Sequence, residues 1–202
     1  MLTPYDETWP LDAALRLDDL RRALTPLDPD ALFDHIGSTS VPGLVAKPLV
    51  DLQVRLRVLP PAEVLDAALR EVGFHAHAGS RPDSPGVRRD SPRGSERVAD
   101  EVWEKRLFTA DDPATVLHVR RADSPWGRYT VAFRDWLRAH PDEAARYART
   151  KLALASEHAR DPDFDDYTRA KTAYFDEVQP QFERWAETHP RVPEDEPRRR
   201  AT

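Results

Sequence analysis

The residues of this chain that can do chemistry are concentrated between His35 and Val54. The stretch opens on His35-Ile36-Gly37-Ser38-Thr39-Ser40, a Gly-Ser turn rich in hydroxyls. It continues through Val41-Pro42-Gly43-Leu44 to Lys47, Pro48 and an apolar run that carries Asp51. Backbone N–H groups at such a turn can hold phosphate oxygens. The hydroxyls of Ser38 and Ser40 can bond the same oxygens or simply cap the turn. Lys47 offers a point charge for a phosphate. A carboxylate a short strand away, Asp51, can hold a cation bound to the same phosphates. The combination points to nucleotide chemistry.

Several elements must position these groups. A strand over 49–56 puts Val50, Leu52 and Val54 on one face and Asp51 and Gln53 on the other. Before the turn lie a helix over 10–24 and a strand over 31–36. Pro10 opens that helix, and Leu11, Leu15, Leu20 and Leu24 form its apolar stripe. Pro61 opens a second helix through 72, stopped by Gly73, and 74–78 is a further short strand. Residues 101–109 and 115–121 pair as two strands joined at Asp111-Asp112-Pro113. Val116, His118 and Arg120 share a face of the second. Arg106, on the first, is placed to neighbour Asp51 and clamp a phosphate bidentately, with a plain salt bridge as the alternative.

Beyond Pro125-Trp126-Gly127 the pattern is helical. One helix runs from about Val131 to His140-Pro141 and carries Arg134, a further candidate for the cleft. A second carries Tyr147 and Lys151. A third carries Tyr167 and Lys171 and is kinked or split at Pro180. Tyr147 with Lys151, and Tyr167 with Lys171, are i,i+4 pairs that can stack a base and hold a phosphate, or pair on a helix surface. Residues 79–99 contain Pro82, Pro85, Pro92 and five arginines with almost nothing apolar. They read as a long mobile loop, a solvated insertion, with a basic flap over an anionic ligand as the functional alternative. The order is helix, mixed strands, then helices, which is α+β. Residues 1–187 form one domain, with the sheet in 1–125 and a helical part in 126–187. Residues 188–202 read as a disordered tail.

Composition narrows the function. The 202 residues carry a net charge of −6, so extended nucleic acid is not an expected partner and any polyanion site must be local. No cysteine is present, which excludes disulfides and thiolate catalysis. No apolar run approaches the roughly 18 residues of a membrane span, and the N-terminus lacks a signal-peptide pattern. A soluble cytoplasmic protein without membrane contact is expected.

Tyr5-Asp6-Glu7-Thr8-Trp9-Pro10, the block from His35 to Asp51, Leu117-His118-Val119, Phe133-Arg134-Asp135-Trp136-Leu137 and Tyr147 with Lys151 follow one another in an order that resembles the GrpB family. The resemblance covers about residues 5 to 185. That family in turn resembles nucleotidyltransferases of the polymerase-β type. The resemblance implies a small mixed sheet backed by helices, with a C-terminal helical region. Members also occur fused to dephospho-coenzyme A kinase, which implies a link to nucleotides. The wider superfamily places a Gly-Ser turn ahead of two carboxylates one residue apart on a strand, with a third on a neighbouring strand, to hold two catalytic cations. On that pattern Gly37 and Ser38 match the turn and Asp51 the first carboxylate. Gln53 stands at the second position, and His118 is the candidate for the third, with Glu101 or Glu104 as a substitute. The implied metal set is Asp51, Gln53 and His118, binding Mg²⁺ or Mn²⁺, with Asp51 and His118 catalytic. Two functions follow. One is nucleotidyl transfer from a nucleotide to an unknown acceptor. The other is a non-catalytic nucleotide- or coenzyme A-binding regulatory module with a degenerate metal site.

Overall fold

A computed structural model describes residues 2–84, 86–92, 97–163 and 165–189. The chain runs α1 (Trp9–Leu24), β1 (Leu32–Ile36), β2 (Val50–Leu56), α2 (Ala62–Arg70), β3 (His75–Ala76), β4 (Lys105–Asp111), β5 (Ala114–Arg121), α3 (Pro125–Ala139), α4 (Pro141–Glu157) and α5 (Asp165–Thr188). Short 3-10 turns lie at Ser38–Ser40 and Asp100–Trp103. The five strands form one mixed sheet in the order β1-β2-β5-β4-β3. β2 and β5 are parallel, and the other pairings are antiparallel. This is the α+β architecture expected from the order of elements, with a Gly-Ser turn leading toward the strand that carries Asp51.

Strand alternation divides the sheet into two functional faces. Val50, Leu52, Val54 and Leu56 of β2, with Leu117 and Val119 of β5, pack beneath α1 and α2 in one core cluster. Asp51, Gln53, His118 and Arg120 are the intervening residues, so they face the opposite side. There the C-terminal helices build a second core from Trp136, Leu137, Tyr147, Tyr174, Val178 and Phe182, joined by Val41 and Leu44 from the loop after β1. The polar face of the sheet is therefore roofed by helices.

Four expectations change. The buried face of α1 is Trp9, Ala13, Leu17, Leu20 and Leu24, whereas Leu11 and Leu15 are 62% and 58% exposed. Both sets have helical spacing, and contact with the sheet decides between them. β4 begins at Lys105, because Asp100–Trp103 coils into a turn that buries Val102 and Trp103. α5 is not split at Pro180 but runs on through it, with Val178 and Phe182 buried on either side. The loop after β3 is not simply solvated: Val87 and Asp90 are buried, and Asp90 accepts two bonds from Arg120. Arg81 and Arg89 of this loop are bound to Asp163 and Asp100. Residues 85 and 93–96 of that loop, and 190–202 of the expected tail, lie outside the described residues. Among the described residues no helix is long and apolar enough to cross a membrane.

Leu117 is fully buried at the centre of the sheet. Leu117→Ala is expected to lower the unfolding free energy by about 3 kcal/mol in urea titrations, the usual loss for a cavity at a closed site.

Candidate functional site

The site begins with a close approach. The β1–β2 register sets Ile36 opposite Asp51, and the chain then turns sharply at Gly37 with φ +71°. A Cβ on Gly37 would stand 2.3 Å from Oδ2 of Asp51. Only glycine lets the turn lie on the carboxylate. Ser38 follows, and its Oγ accepts a 2.7 Å hydrogen bond from Nζ of Lys151. Lys151, buried on α4, also donates to the carbonyl of Val45 and lies over the ring of Tyr147.

Three ammonium groups line the resulting cleft: Lys47, Lys151 and Lys171. Lys47 and Lys171 both sit over the ring of Tyr167, 4.7 and 4.8 Å from its centroid. Burial, reinforced by Lys171, lowers the pKa of Lys47 to about 8 and that of Lys151 to about 7. Burial also lowers that of Lys171. Burial pushes the Asp51 carboxyl above its ordinary value, opposed by the surrounding lysines. The cleft has a volume of about 380 Å³ and is walled by Trp126, Tyr129, Phe133, Tyr147, Tyr167 and Phe175. It is electropositive and partly aromatic, and among the described residues Asp51 is its one lining carboxylate.

His118 stands on the floor beside Asp51, its Nε2 3.9 Å from Oδ1. Its Nδ1 lies 2.9 Å from Nζ of the buried Lys105, which is 3.3 Å from Asp90. Burial and the neighbouring Lys105 and Arg120 hold the imidazole pKa well below its ordinary value. Burial, with Arg120, also lowers the pKa of Lys105, to about 8. A protonated Lys105 donates to Nδ1 and leaves the imidazole proton on Nε2, toward Asp51.

The structure brings Gly37, Ser38, Lys47, Asp51, His118, Arg134, Tyr147 and Lys151 to this cleft. Three other candidates are placed elsewhere. Ser40 is buried, with its Oγ donating to the carbonyl of Gly37 at 2.5 Å, so it closes the turn rather than facing a ligand. Gln53 is fully buried under α3: Nε2 donates to Asp34 and to the carbonyl of Gly127, and Oε1 accepts from Arg120 and Thr130. Its amide is saturated. Arg106 lies opposite Val119 in the β4–β5 register, hence on the α1/α2 face, where it bonds the carbonyl of Lys105 and approaches Glu104. The β4 cation that turns toward the site is its neighbour Lys105. No local pattern singles out Lys105 or its partner Asp90, because only the strand register distinguishes Lys105 from Arg106. Tyr167 and Lys171 had the spacing signal, and their place in the cleft follows from the docking of α5. Arg134 bonds Asp135 and the carbonyl of His35, which fastens α3 to β1.

The residues do not fit the implied pair of divalent cations. Among the described residues no three His, Cys, Asp or Glu side chains come together as a metal site. Gln53 has no lone pair to spare, His118 meets Lys105 at Nδ1, and Asp51 is ringed by ammonium groups that repel a cation. Glu104 lies beside Arg106.

Comparison with known proteins gives a consistent picture. Residues 1–181 match the family described as GrpB protein. The chain is 30% identical over 199 residues to a dephospho-CoA kinase of Mycolicibacterium paratuberculosis, covering 93% of this chain and 47% of that protein. It is 34% identical over 171 residues to a UPF0157 protein of Pseudomonas aeruginosa, covering 83% of this chain and 61% of that one. The chain thus spans about half the length of the first relative and less than two thirds of the second. Among solved structures, a conserved protein GrpB from Enterococcus faecalis superposes with a TM-score of 0.67 at 23% identity, covering 92% of this chain and 99% of that one. That likeness shows a shared fold.

Two predictions test the geometry. Gly43 also has positive φ, but a Cβ there would meet nothing within 4 Å. Gly43→Ala is therefore expected to destabilise by the backbone strain alone, about 1–2 kcal/mol, and Gly37→Ala by clearly more, as read by urea unfolding. Gln53→Asp is expected to destabilise by about 2 kcal/mol or more, because it strands bonded partners and sets a carboxylate beside Asp34. Mg²⁺ is expected not to restore its melting temperature.

Proposed function

The chain belongs to the GrpB family, and on that premise we propose that it binds a nucleotide or a nucleotide-containing small molecule, in the cytoplasm, with the phosphates at the Gly37–Ser38 turn. The observation that carries this reading is the convergence of Lys47, Lys151 and Lys171 on one partly aromatic cleft with a single lining carboxylate. In this reading Lys151 and Ser38 hold a phosphate together, since they already share a hydrogen bond. Lys47 and Lys171 neutralise further phosphates, and Tyr147 or Tyr167 offers a π-face to the base. Arg134 fixes the wall rather than the ligand, being bound to Asp135 and His35. Similarity to part of a dephospho-CoA kinase supports a ligand of the nucleotide or coenzyme type.

Nucleotidyl transfer to an acceptor is the second reading. It is favoured by one observation, the placement of Asp51 and His118 side by side in the cleft that Lys151 also lines. The chemistry would need two cations to activate the acceptor and stabilise the leaving pyrophosphate. The donor set described above does not fit them, so binding without that reaction is the better-supported function.

Equilibrium titration of the full chain with nucleoside triphosphates and with coenzyme A tests the reading. Lys151→Met is expected to weaken binding by about ten-fold or more, the worth of one charge-assisted hydrogen bond. Ser38→Ala is expected to weaken it less. Absence of binding to every one of these ligands would overturn the proposal.

A further inference from the structure

We propose that the cleft takes its polyphosphate as the metal-free anion, with the ammonium groups of Lys47, Lys151 and Lys171 providing the charge neutralisation that divalent cations provide in metal-dependent transferases, and that protons are taken up as the ligand binds. This deepens the nucleotide reading and rests on it.

Geometry comes first. Lys151 is 3% exposed and bonded to Ser38 of the Gly-Ser turn. Lys47 and Lys171 share the ring of Tyr167. These three cations surround one lining carboxylate, Asp51, so a cation added to the site increases repulsion and a polyphosphate relieves it. A nucleotide already complexed to Mg²⁺ brings less negative charge and an extra cation. It is the poorer ligand for such a site.

The titration behaviour follows from the same crowding. The titratable and charged groups that line the cleft with Lys151 are Lys47 and Asp51 from the loop and β2, His118 and Arg120 from β5, Tyr147 from its own helix, Tyr167 and Lys171 from α5, and Arg134 from α3; Asp90 holds Arg120 and Asp135 holds Arg134. Burial and the other lysines depress the ammonium pKa values, and Asp51 raises them. In the free protein Lys151 therefore loses its proton near pH 7 and Lys47 near pH 8. A bound polyanion favours the charged forms and moves both values upward. Affinity is then greatest below the free-protein values and is lost as the pH rises through the bound ones. Ionisation of the ligand works in the opposite sense, because a terminal phosphate gains charge as the pH rises through about 6. A fall in affinity at alkaline pH thus comes from the protein.

The experiment is calorimetric titration of the full chain with ATP and with tripolyphosphate, in EDTA and in excess Mg²⁺, from pH 6.5 to pH 9, in two buffers of different ionisation enthalpy. The expected result is binding in EDTA at least as tight as in Mg²⁺, an affinity that falls about ten-fold or more across this range, and net proton uptake near pH 7.5. At pH 6.5 in EDTA, Asp51→Asn is expected to bind ATP as tightly as the unmodified chain or more tightly, whereas a cation site would lose its ligand. Lys47→Met, at a half-buried position, is expected to reduce both affinity and proton uptake if Lys151→Met does not fold. Binding that requires Mg²⁺, or binding without proton uptake, would overturn the inference and leave the nucleotide reading standing. Binding of tripolyphosphate in EDTA with the same pH profile, but of no nucleotide, would support the anion cradle and overturn the nucleotide reading. Binding of neither would overturn both.

Discussion

The fastening of the C-terminal helices to the Gly-Ser segment is the interaction on which the rest depends. Three cations from those helices bind backbone carbonyls of β1 and of the segment that follows it. Arg134 of α3 bonds His35, Arg138 of α3 bonds Ser40, and Lys151 of α4 bonds Val45. A buried carbonyl without a partner is costly, and so is a buried cation. Each satisfies the other here. The two hydrophobic cores lie on either side of this polar seam. The cleft is the part of the seam left open.

The same seam accounts for the character of the site. Gln53 and Arg120, which share the site face of the sheet with Asp51 and His118, are absorbed into a buried network with Asp34, Asp90 and Thr130. Gln53 is a structural amide that joins β2 to α3. The loop after β3 is drawn into this network through Asp90, which pairs with Arg120 and Lys105. What remains at the surface of the cleft is one carboxylate, a neutral imidazole and a set of lysines with depressed pKa values. That composition suits an anion better than a cation.

Much of this was legible in the sequence. The alternation of Val50, Leu52 and Val54 against Asp51 and Gln53 predicts the two faces of β2. The Gly37–Ser38 turn and the Tyr-Lys pairs at i,i+4 name most of the residues that meet in the cleft. The remainder depended on tertiary contacts that local patterns do not encode. Trp9, Ala13 and Leu17 compete with Leu11 and Leu15 for the buried face of α1 at equally helical spacing, and the sheet chooses. Lys105 and Arg106 are adjacent, and only pairing of Lys105 with Arg120 sends one to the site and the other to the opposite face. Gln53 reads as a weak ligand until its four hydrogen-bond partners are known. Asp90 sits in a stretch of Pro, Ser and Arg with no apolar pattern, yet the sheet buries it.

We place the polyphosphate in the cleft between the Gly-Ser turn and the C-terminal helices. A crystal structure of the full chain grown with ATP in EDTA tests it most directly. Phosphate density is expected within hydrogen-bond distance of Ser38 and the Lys151 ammonium, with Lys47 and Lys171 turned toward the same phosphates. Density for the nucleotide at another surface, with the lysine cleft unchanged and empty, would contradict it.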